Sequence, residues 1–359
     1  MRGSLLCAGV GLALLLVALL FDAEALWAAG SVLGVLGAGT WAWITTGARG
    51  ATVEREVGAR TVVEGDPVSV RVTAHAGRLP LPSGWIDEPL LPEPAPVAPG
   101  RRRVTVRIEA SFARRGRRAL PAPALVLRDP LGLAQRTVRG AHDEELLVLP
   151  RVHPVRAVAT GGEPGSGSSA ALSATTAEVE IDGLRPLRPG TPAARIHWPA
   201  LARGAGLMER KMVAESDTRP VVLLDPRAPS SPDALDAAVR AAASLALHFA
   251  RRGGCALILP GDRRPLLLDS DAGAWPAAHA RLALVDAGTT PALVHARSRQ
   301  GLLFYVAARA LERPPSALGR TAGGCVLVVP GSLLGRRAVL EVASCRGYKV
   351  APAAAGRAA

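Results

Sequence analysis

An apolar run that ends in a carboxylate, Val221-Val-Leu-Leu-Asp225, opens the most informative stretch of this chain. A run of this kind is typical of a buried strand in a parallel sheet. Ser231 can cap the helix that follows, with Pro232 at its first position, and apolar side chains then recur every three or four residues up to Phe249. A second apolar run begins at Cys255. The order strand, helix, strand predicts a parallel sheet with a right-handed crossover.

This pattern is expected to extend over residues 214–353 as a doubly wound α/β domain. Helical patterns occupy residues 275–285 and 302–311, and another apolar run occupies residues 325–329. The final residues, 354–359, are predicted to be a disordered tail.

A different pattern of apolar and polar residues precedes this domain. Residues 52–158 contain short alternating runs separated by Gly, Pro and Asp, such as Val68-Ser-Val-Arg-Val-Thr73 and Val104-Thr-Val-Arg-Ile-Glu109. Alternation with period two is typical of half-buried strands, and no segment here has a helical period. We therefore predict a small β-sandwich, followed by a Gly/Ser-rich flexible linker at residues 159–177.

The N-terminal region contains two long segments without a charged residue. Ser4–Phe21 has eighteen residues and Ala25–Thr46 has twenty-two, and only Asp22-Ala-Glu24 separates them. Each segment can cross a hydrocarbon core of about 30 Å as a helix. We predict a transmembrane hairpin in residues 1–48, with spans at about 4–21 and 25–46. The alternative is a cleaved signal peptide over the first span, which the immediate second span makes less favourable.

The flanking charges indicate how the hairpin is oriented. Arg2 precedes the first span and Arg49, Arg55 and Arg60 follow the second, whereas the turn between the spans carries only acidic charges. Positive charge is retained on the cytoplasmic side. We therefore expect a multi-pass protein of the cell membrane whose N-terminus and soluble domains are cytoplasmic.

The net charge of +13 raises the question of a nucleic-acid partner. The densest basic cluster lacks the interleaved aromatic residues that stack on bases, so no nucleic-acid partner is expected. A basic domain tethered beside an anionic membrane leaflet explains the charge better. The members of this basic cluster are Arg101, Arg102, Arg103, Arg107, Arg114, Arg115, Arg117 and Arg118.

Residues 178–213 form a segment rich in proline and arginine. Its arginines can form bidentate hydrogen bonds with carboxylates, and its prolines stiffen the backbone that presents them. Two interpretations remain open: the segment binds a partner, or it locks itself to the α/β domain by pairing with Glu178, Asp182 or Asp225. The candidate residues of this segment are Asp182, Arg185, Arg188, Arg195, His197 and Trp198.

The run Gly183-Leu-Arg-Pro-Leu-Arg-Pro-Gly-Thr-Pro-Ala-Ala-Arg-Ile-His-Trp198 resembles the signature of the bacterial family named domain of unknown function 58. Asp129-Pro-Leu-Gly-Leu133 is similar to a turn of the same family. The chain departs from the signature at Thr191, where Asp is usual, at Leu187, where Tyr is usual, and at Ala194, where Arg is usual.

The resemblance implies a membrane hairpin, a β-rich segment and a domain similar to von Willebrand factor type A. It also implies work beside a MoxR-type AAA+ ATPase, and often beside a transglutaminase-like membrane protein. A functional type A domain binds Mg²⁺ through Asp-x-Ser-x-Ser, but here that position reads Asp225-Pro-Arg-Ala-Pro229. Because Arg227 replaces the first serine, we expect a degenerate metal edge without a bound metal or other cofactor.

Because no nucleophile with an oriented base is visible, the sequence favours a non-enzymatic scaffold or adaptor, and the family resemblance implies that it assembles or matures membrane and envelope complexes. One alternative is a hydrolase-like enzyme that uses His197 and Asp182, although no nucleophile motif accompanies them. Another alternative is a metal-dependent binding protein.

Overall fold

A computed structural model of the chain describes residues 2–158, 181–186, 198–204, 206–212, 219–291, 293, 301–318 and 324–350. The contacts divide these residues into two compact units between Val148 and Leu149, except that Arg114–Gly116 groups with the second unit. The helices are α1 (Arg2–Phe21), α2 (Glu24–Ala48), α3 (Trp198–Ala202), α4 (Pro232–Ala250) and α5 (Trp275–Ala283). The strands are β1 (Thr52–Val57), β2 (Thr61–Val63), β3 (Pro67–His75), β4 (Gly84–Asp87), β5 (Ala95–Val97), β6 (Arg103–Ser111), β7 (Gly116–Leu120), β8 (Ala124–Arg128), β9 (Gln135–Arg139), β10 (Glu144–Leu149), β11 (Arg156–Ala157), β12 (Ile181–Pro186), β13 (Met208–Met212), β14 (Val221–Asp225), β15 (Cys255–Ile258), β16 (Leu266–Leu268), β17 (Leu303–Ala307), β18 (Cys325–Pro330), β19 (Leu340–Val342) and β20 (Cys345–Val350).

The described residues contain two helices, α1 and α2, that are long and apolar enough to cross a membrane. Mixed α and β content in several sheets follows them. This coarse order of elements confirms the corresponding part of the predicted fold class.

Small residues line the contact between α1 and α2. The buried positions of α1 are Ser4, Gly11 and Ala18, which recur every seven residues. A Cβ atom added to Gly11 would lie 2.8 Å from the carbonyl oxygen of Gly30, and one added to Gly37 would lie 2.6 Å from that of Ser4. Close backbone approach through small residues is typical of helix pairs in membranes. Most leucines of α1 are instead exposed on the outside of the pair, among them Leu5, Leu6, Leu12 and Leu16.

The first unit contains a three-stranded sheet in the order β2-β10-β7 and two further sheets that enclose one apolar core. One sheet has the strand order β1-β3-β6 and the other has the order β5-β4-β8-β9. Val68, Val70 and Val72 of β3 are buried, whereas Ser69 and Arg71 between them are exposed. These valines share their core with residues of β4 and β8 from the other sheet. Alternating burial between two packed sheets agrees with the period-two pattern of the sequence.

The second unit contains an eight-stranded mixed sheet in the order β11-β19-β20-β18-β17-β14-β15-β16. The four strands β15, β14, β17 and β18 are parallel neighbours, whereas the strands on both sides of them pair antiparallel. β11 lies at the end of the segment that the sequence assigns to the β-sandwich, but it pairs with β19 in this sheet. The predicted order of β14, α4 and β15 is confirmed.

Helix α4 forms for the reasons that its sequence indicates. The hydroxyl of Ser231 accepts a hydrogen bond from the amide of Ala234 at 3.0 Å, and Pro232 occupies the first turn. The buried residues of α4 share one core with Val222 and Leu224 of β14. The second helix, α5, contributes Ala278 to that same core, so α4 and α5 lie on one face of the sheet. The short 3₁₀ helix Ser316–Leu318 contributes Leu318 to the core on the other face, but among the described residues that face carries no α-helix of the kind that a doubly wound domain requires.

One element was predicted wrongly. Residues 302–311 have a helical pattern, but the structure places strand β17 at Leu303–Ala307, with all five residues buried. The strand pairs with β14 and β18 along its two edges, and its alternate residues lie in the apolar cores on the two faces of the sheet. Because a short run that is apolar throughout has no polar face, its periodicity cannot distinguish a buried strand from a buried helix.

Candidate functional site

The candidate site lies where two neighbouring parallel strands end. Asp225 is the last residue of β14 and stands beside Ala307, the last residue of β17. The two strand ends are tied together because the amide of Ala308 donates a hydrogen bond to the backbone carbonyl of Asp225 at 3.0 Å. In α/β proteins, ligands bind outside the carboxyl ends of the parallel strands.

The carboxylate of Asp225 is buried and its two oxygens both have partners. Nε of Arg227 donates to Oδ1 at 2.8 Å and Nη2 donates to Oδ2 at 2.9 Å, which makes the pair bidentate. The backbone amide of Arg227 adds a third bond to Oδ1 at 3.1 Å. The hydroxyl of Tyr305 donates to Oδ2 from the adjacent strand. The carboxylate is therefore enclosed by donors from its own loop and from β17.

A second arginine joins this cluster. Nη1 of Arg309 donates to the backbone carbonyl of Arg227 at 2.8 Å, and its Nη2 lies 3.8 Å from Oδ2 of Asp225. The side chain of Arg227 is 31% exposed and that of Arg309 is 28% exposed, whereas the Asp225 side chain is fully buried. Two cations therefore reach the surface above one buried anion, and this edge of the sheet presents positive charge.

The protonation states follow from the same contacts. Burial favours the neutral form of Asp225, but the hydrogen bonds from Arg227 and Tyr305 outweigh it and hold the pKa of the carboxyl below its ordinary value. Burial and the hydrogen bond to Asp225 raise the pKa of the Tyr305 hydroxyl. The hydrogen bond to Asp225 also raises the pKa of the Arg227 guanidinium. At neutral pH the cluster consists of a carboxylate, a neutral phenol and two guanidinium cations.

This arrangement does not fit a magnesium ion. Mg²⁺ requires hard oxygen ligands in near-octahedral geometry, but the guanidinium of Arg227 already binds both oxygens of Asp225. Within the part of the chain that the structure describes, no group of three or more His, Cys, Asp or Glu residues is placed to hold a metal ion. Exposed guanidinium groups can instead form charge-assisted hydrogen bonds with an anion.

The signature segment is described only in part. Asp182 and Arg185 lie in β12, which forms a two-stranded antiparallel sheet with β13 and places Arg185 opposite Glu209. Trp198 is the first residue of α3 and is 57% exposed. The remaining candidate residues, Arg188, Arg195 and His197, lie outside the described residues. One proposed partner of the signature arginines, Asp225, has both oxygens engaged by Arg227 and Tyr305.

Sequence reasoning missed Tyr305 and Arg309 as members of the site. Arg309 follows the end of β17 just as Arg227 follows the end of β14. Because residues 302–311 were predicted as a helix, their carboxyl end was not expected at the sheet edge. A reading of Leu303–Ala307 as a second buried strand would have placed both residues beside Asp225.

An open groove of about 520 Å³ lies elsewhere in the second unit, next to the hairpin between β19 and β20. Its charged residues include Arg156, Glu341 and Arg346, and Arg346 pairs with Glu341 at 3.0 Å. None of its lining residues belongs to the Asp225 cluster. The ion pair of the groove is an ordinary surface pair, so the groove lacks a buried charge cluster of the kind found at Asp225.

Neither a model of a known protein family nor a curated protein matches this chain. Its class is therefore defined by its own structure, as two apolar N-terminal helices followed by mixed α/β content in several sheets.

Proposed function

We propose that this protein is a membrane-anchored, non-enzymatic scaffold that resembles the domain of unknown function 58 family. In this proposal α1 and α2 form a transmembrane hairpin, and the second unit is a protein-binding module similar to von Willebrand factor type A. The scaffold acts with a MoxR-type AAA+ ATPase, and with a transglutaminase-like membrane protein, in assembling or maturing membrane and envelope complexes. The named partners come from the family resemblance.

The observation that carries the binding role is the cationic edge formed by Arg227 and Arg309. The side chain of Arg227 is 31% exposed and that of Arg309 is 28% exposed, while the Asp225 side chain is buried. A partner would therefore meet donors at this edge, and a planar guanidinium can bind a carboxylate of the partner through two hydrogen bonds. Since Asp225 holds Arg227 in place through two hydrogen bonds, the donors are preorganised and lose little side-chain entropy on binding.

The arrangement of the helix pair supports the membrane role. Leucines of α1 cover the outside of the pair, while small residues make the internal contact. The amide of Ser4 in α1 donates to the carbonyl of Leu133 at 2.8 Å, so the start of α1 lies against the sheets of its own unit. The flanking residues Arg2 and Arg49 give both ends of the hairpin the positive charge typical of the cytoplasmic side.

The proposal is tested by cross-linked co-purification of the tagged full-length protein from its native membranes. The Arg309→Ala variant removes an exposed donor and leaves the Asp225–Arg227 pair intact. Arg251→Ala is the matched control, because Arg251 is an exposed arginine at the end of α4, next to the amino-terminal edge of β15. We expect an AAA+ ATPase with wild type and with Arg251→Ala, and at least about tenfold less with Arg309→Ala, which corresponds to the loss of one charge-assisted contact. Equal recovery with all three proteins, or recovery of an ATPase with none, would overturn the proposed site.

A further inference from the structure

The helix hairpin and two loops of the first unit meet at one end of that unit. The amide of Ser4 bonds to Leu133, and a Cβ atom added to Gly3 would lie 2.8 Å from the Leu133 carbonyl oxygen. At the end of α2, a Cβ atom added to Gly47 would lie 2.5 Å from Cγ of Pro82. The loops that contain Leu133 and Pro82 are therefore held against the two helix ends.

Strand register places a group of arginines at the same end. Thr52, which begins β1 just after α2, pairs with His75, and His75 pairs with Arg103 at the start of β6. The preceding residue, Arg102, accepts a hydrogen bond through its carbonyl from Ala76 at 2.8 Å. The other end of β6 is about 26 Å away, at a rise of roughly 3.3 Å per residue. The basic cluster seen in the sequence is thus divided, and its first members, Arg101, Arg102 and Arg103, lie at the hairpin end.

The same two loops carry exposed leucines. Leu131 is 61% exposed and lies between Asp129 and Leu133, while Leu79 is 43% exposed and lies just before Pro82. The conformation of the loop that contains Leu131 is held by a hydrogen bond from the Leu131 amide to Oδ1 of Asp129 at 2.9 Å. The next residue, Gly132, has φ +72 and accommodates the guanidinium of Arg128, since a Cβ atom there would lie 2.5 Å from Nη2.

We propose that this end of the first unit is a docking surface for an anionic phospholipid bilayer. Leu79 and Leu131 insert at the level of the headgroups, and Arg101, Arg102 and Arg128 contact the phosphates. Apolar side chains surrounded by arginines combine the two attractions that hold a protein at an anionic membrane surface. This inference rests on the proposed insertion of α1 and α2, because their ends place the two loops beside the bilayer.

The test uses full-length protein in nanodiscs of zwitterionic phosphatidylcholine, with or without about one-third anionic phosphatidylglycerol, the proportion that makes the surface potential appreciable. A spin label is attached at Leu131→Cys, and its collisions with oxygen and with a water-soluble nickel chelate are compared. Burial raises the pKa of Cys325 to about 11 and the pKa of Cys255 and Cys345 to about 12, so at neutral pH the introduced thiol reacts before these three. Wild-type protein treated in the same way gives the background.

Two further labelled positions serve as controls. Leu334→Cys, at a fully exposed leucine of the second unit, is the aqueous control. Val35→Cys, on the outside of α2, reports insertion of the hairpin.

In anionic discs we expect the oxygen-to-nickel ratio at Leu131 to exceed that at Leu334 by about threefold or more, as for a side chain at headgroup depth. The double variant Arg101→Glu, Arg102→Glu is expected to return the ratio toward the aqueous value. An aqueous ratio at Leu131 together with a lipid ratio at Val35 would overturn this inference and leave the membrane anchor intact. An aqueous ratio at Val35 would overturn both the anchor and this inference. Equal ratios at Leu131 in the two lipids would overturn the role of the anionic headgroups.

Discussion

Replacing Arg227 with alanine removes the guanidinium that holds both oxygens of the buried Asp225 carboxylate. Among the described residues, Arg227 is the only bidentate partner of that carboxylate. Tyr305 keeps its hydrogen bond to Oδ2, and the side chain of Arg309 stays 3.8 Å away. The perturbation therefore creates an undercompensated charge at the end of the central strand β14.

The expected cost follows from this geometry. Breaking a buried ion pair by removing one partner typically costs about 3–5 kcal/mol. Arg227 is 31% exposed, so water can replace part of its hydrogen bonding, and Tyr305 continues to donate. We therefore expect the lower end of the range, about 3 kcal/mol, which lowers the Tm of a domain of this size by roughly 6–12 °C. Removing both charges in Arg227→Ala, Asp225→Asn should recover all but about 1 kcal/mol.

The effect should depend on pH. In the wild type the pKa of Asp225 lies below the ordinary value of an aspartate, so the ionised carboxylate stabilises the folded state above that ordinary pKa, and the contribution is lost as the pH falls through the lower folded pKa. Without Arg227, burial is opposed by fewer hydrogen bonds and the pKa of Asp225 rises. The stability difference between wild type and Arg227→Ala is therefore expected to be largest near pH 7 and to shrink toward pH 3.

Pulsed thiol labelling in urea measures this difference in the full-length protein. Cys255 and Cys345 are buried in the second unit, so their labelling reports the unfolding of that unit. Arg251→Ala serves as the surface control and should unfold like the wild type. If Arg227→Ala unfolds within about 0.5 kcal/mol of the wild type at pH 7, the claim that Arg227 compensates a buried charge is wrong.

Two further predictions concern the helix pair and the metal edge. Gly37→Leu should separate α1 from α2 and prevent disulfide cross-linking of cysteines engineered across them, because a Cβ atom at Gly37 would lie 2.6 Å from the carbonyl oxygen of Ser4. Gly39→Leu should leave the cross-linking unchanged, because nothing lies within 4 Å of a Cβ atom at that position. Equal loss of cross-linking in both variants would contradict the proposed contact. Magnesium should not raise the Tm of the wild type relative to a chelator, because Arg227 already binds both oxygens of Asp225; a magnesium-dependent increase that disappears in Asp225→Asn would contradict this.

Several elements could be predicted because their determinants lie within a few residues of one another. The helix α4 begins at Pro232 because Ser231 caps it locally, and its apolar period fits burial against β14. The strands β14 and β15 appear in the sequence as continuous apolar runs, and α1 and α2 as long segments without charge. Capping, periodicity and charge-free length are all local properties, so the sequence alone was sufficient for these elements.

Other features depended on the arrangement of distant segments. The apolar run at Leu303–Ala307 is a strand because β14 and β18 cover both of its edges, which no local pattern reveals. That strand order brings Tyr305 to Asp225 across 80 residues of sequence and places Arg309 beside Arg227. Strand pairing also places Arg103 and Thr52 at the same end of the first unit, next to the helix hairpin, because β1, β3 and β6 pair in that order. Local interactions determined most of the elements, whereas the non-local pairing of strands determined that Leu303–Ala307 is a strand and which side chains meet, because strand order is set by packing over the whole unit.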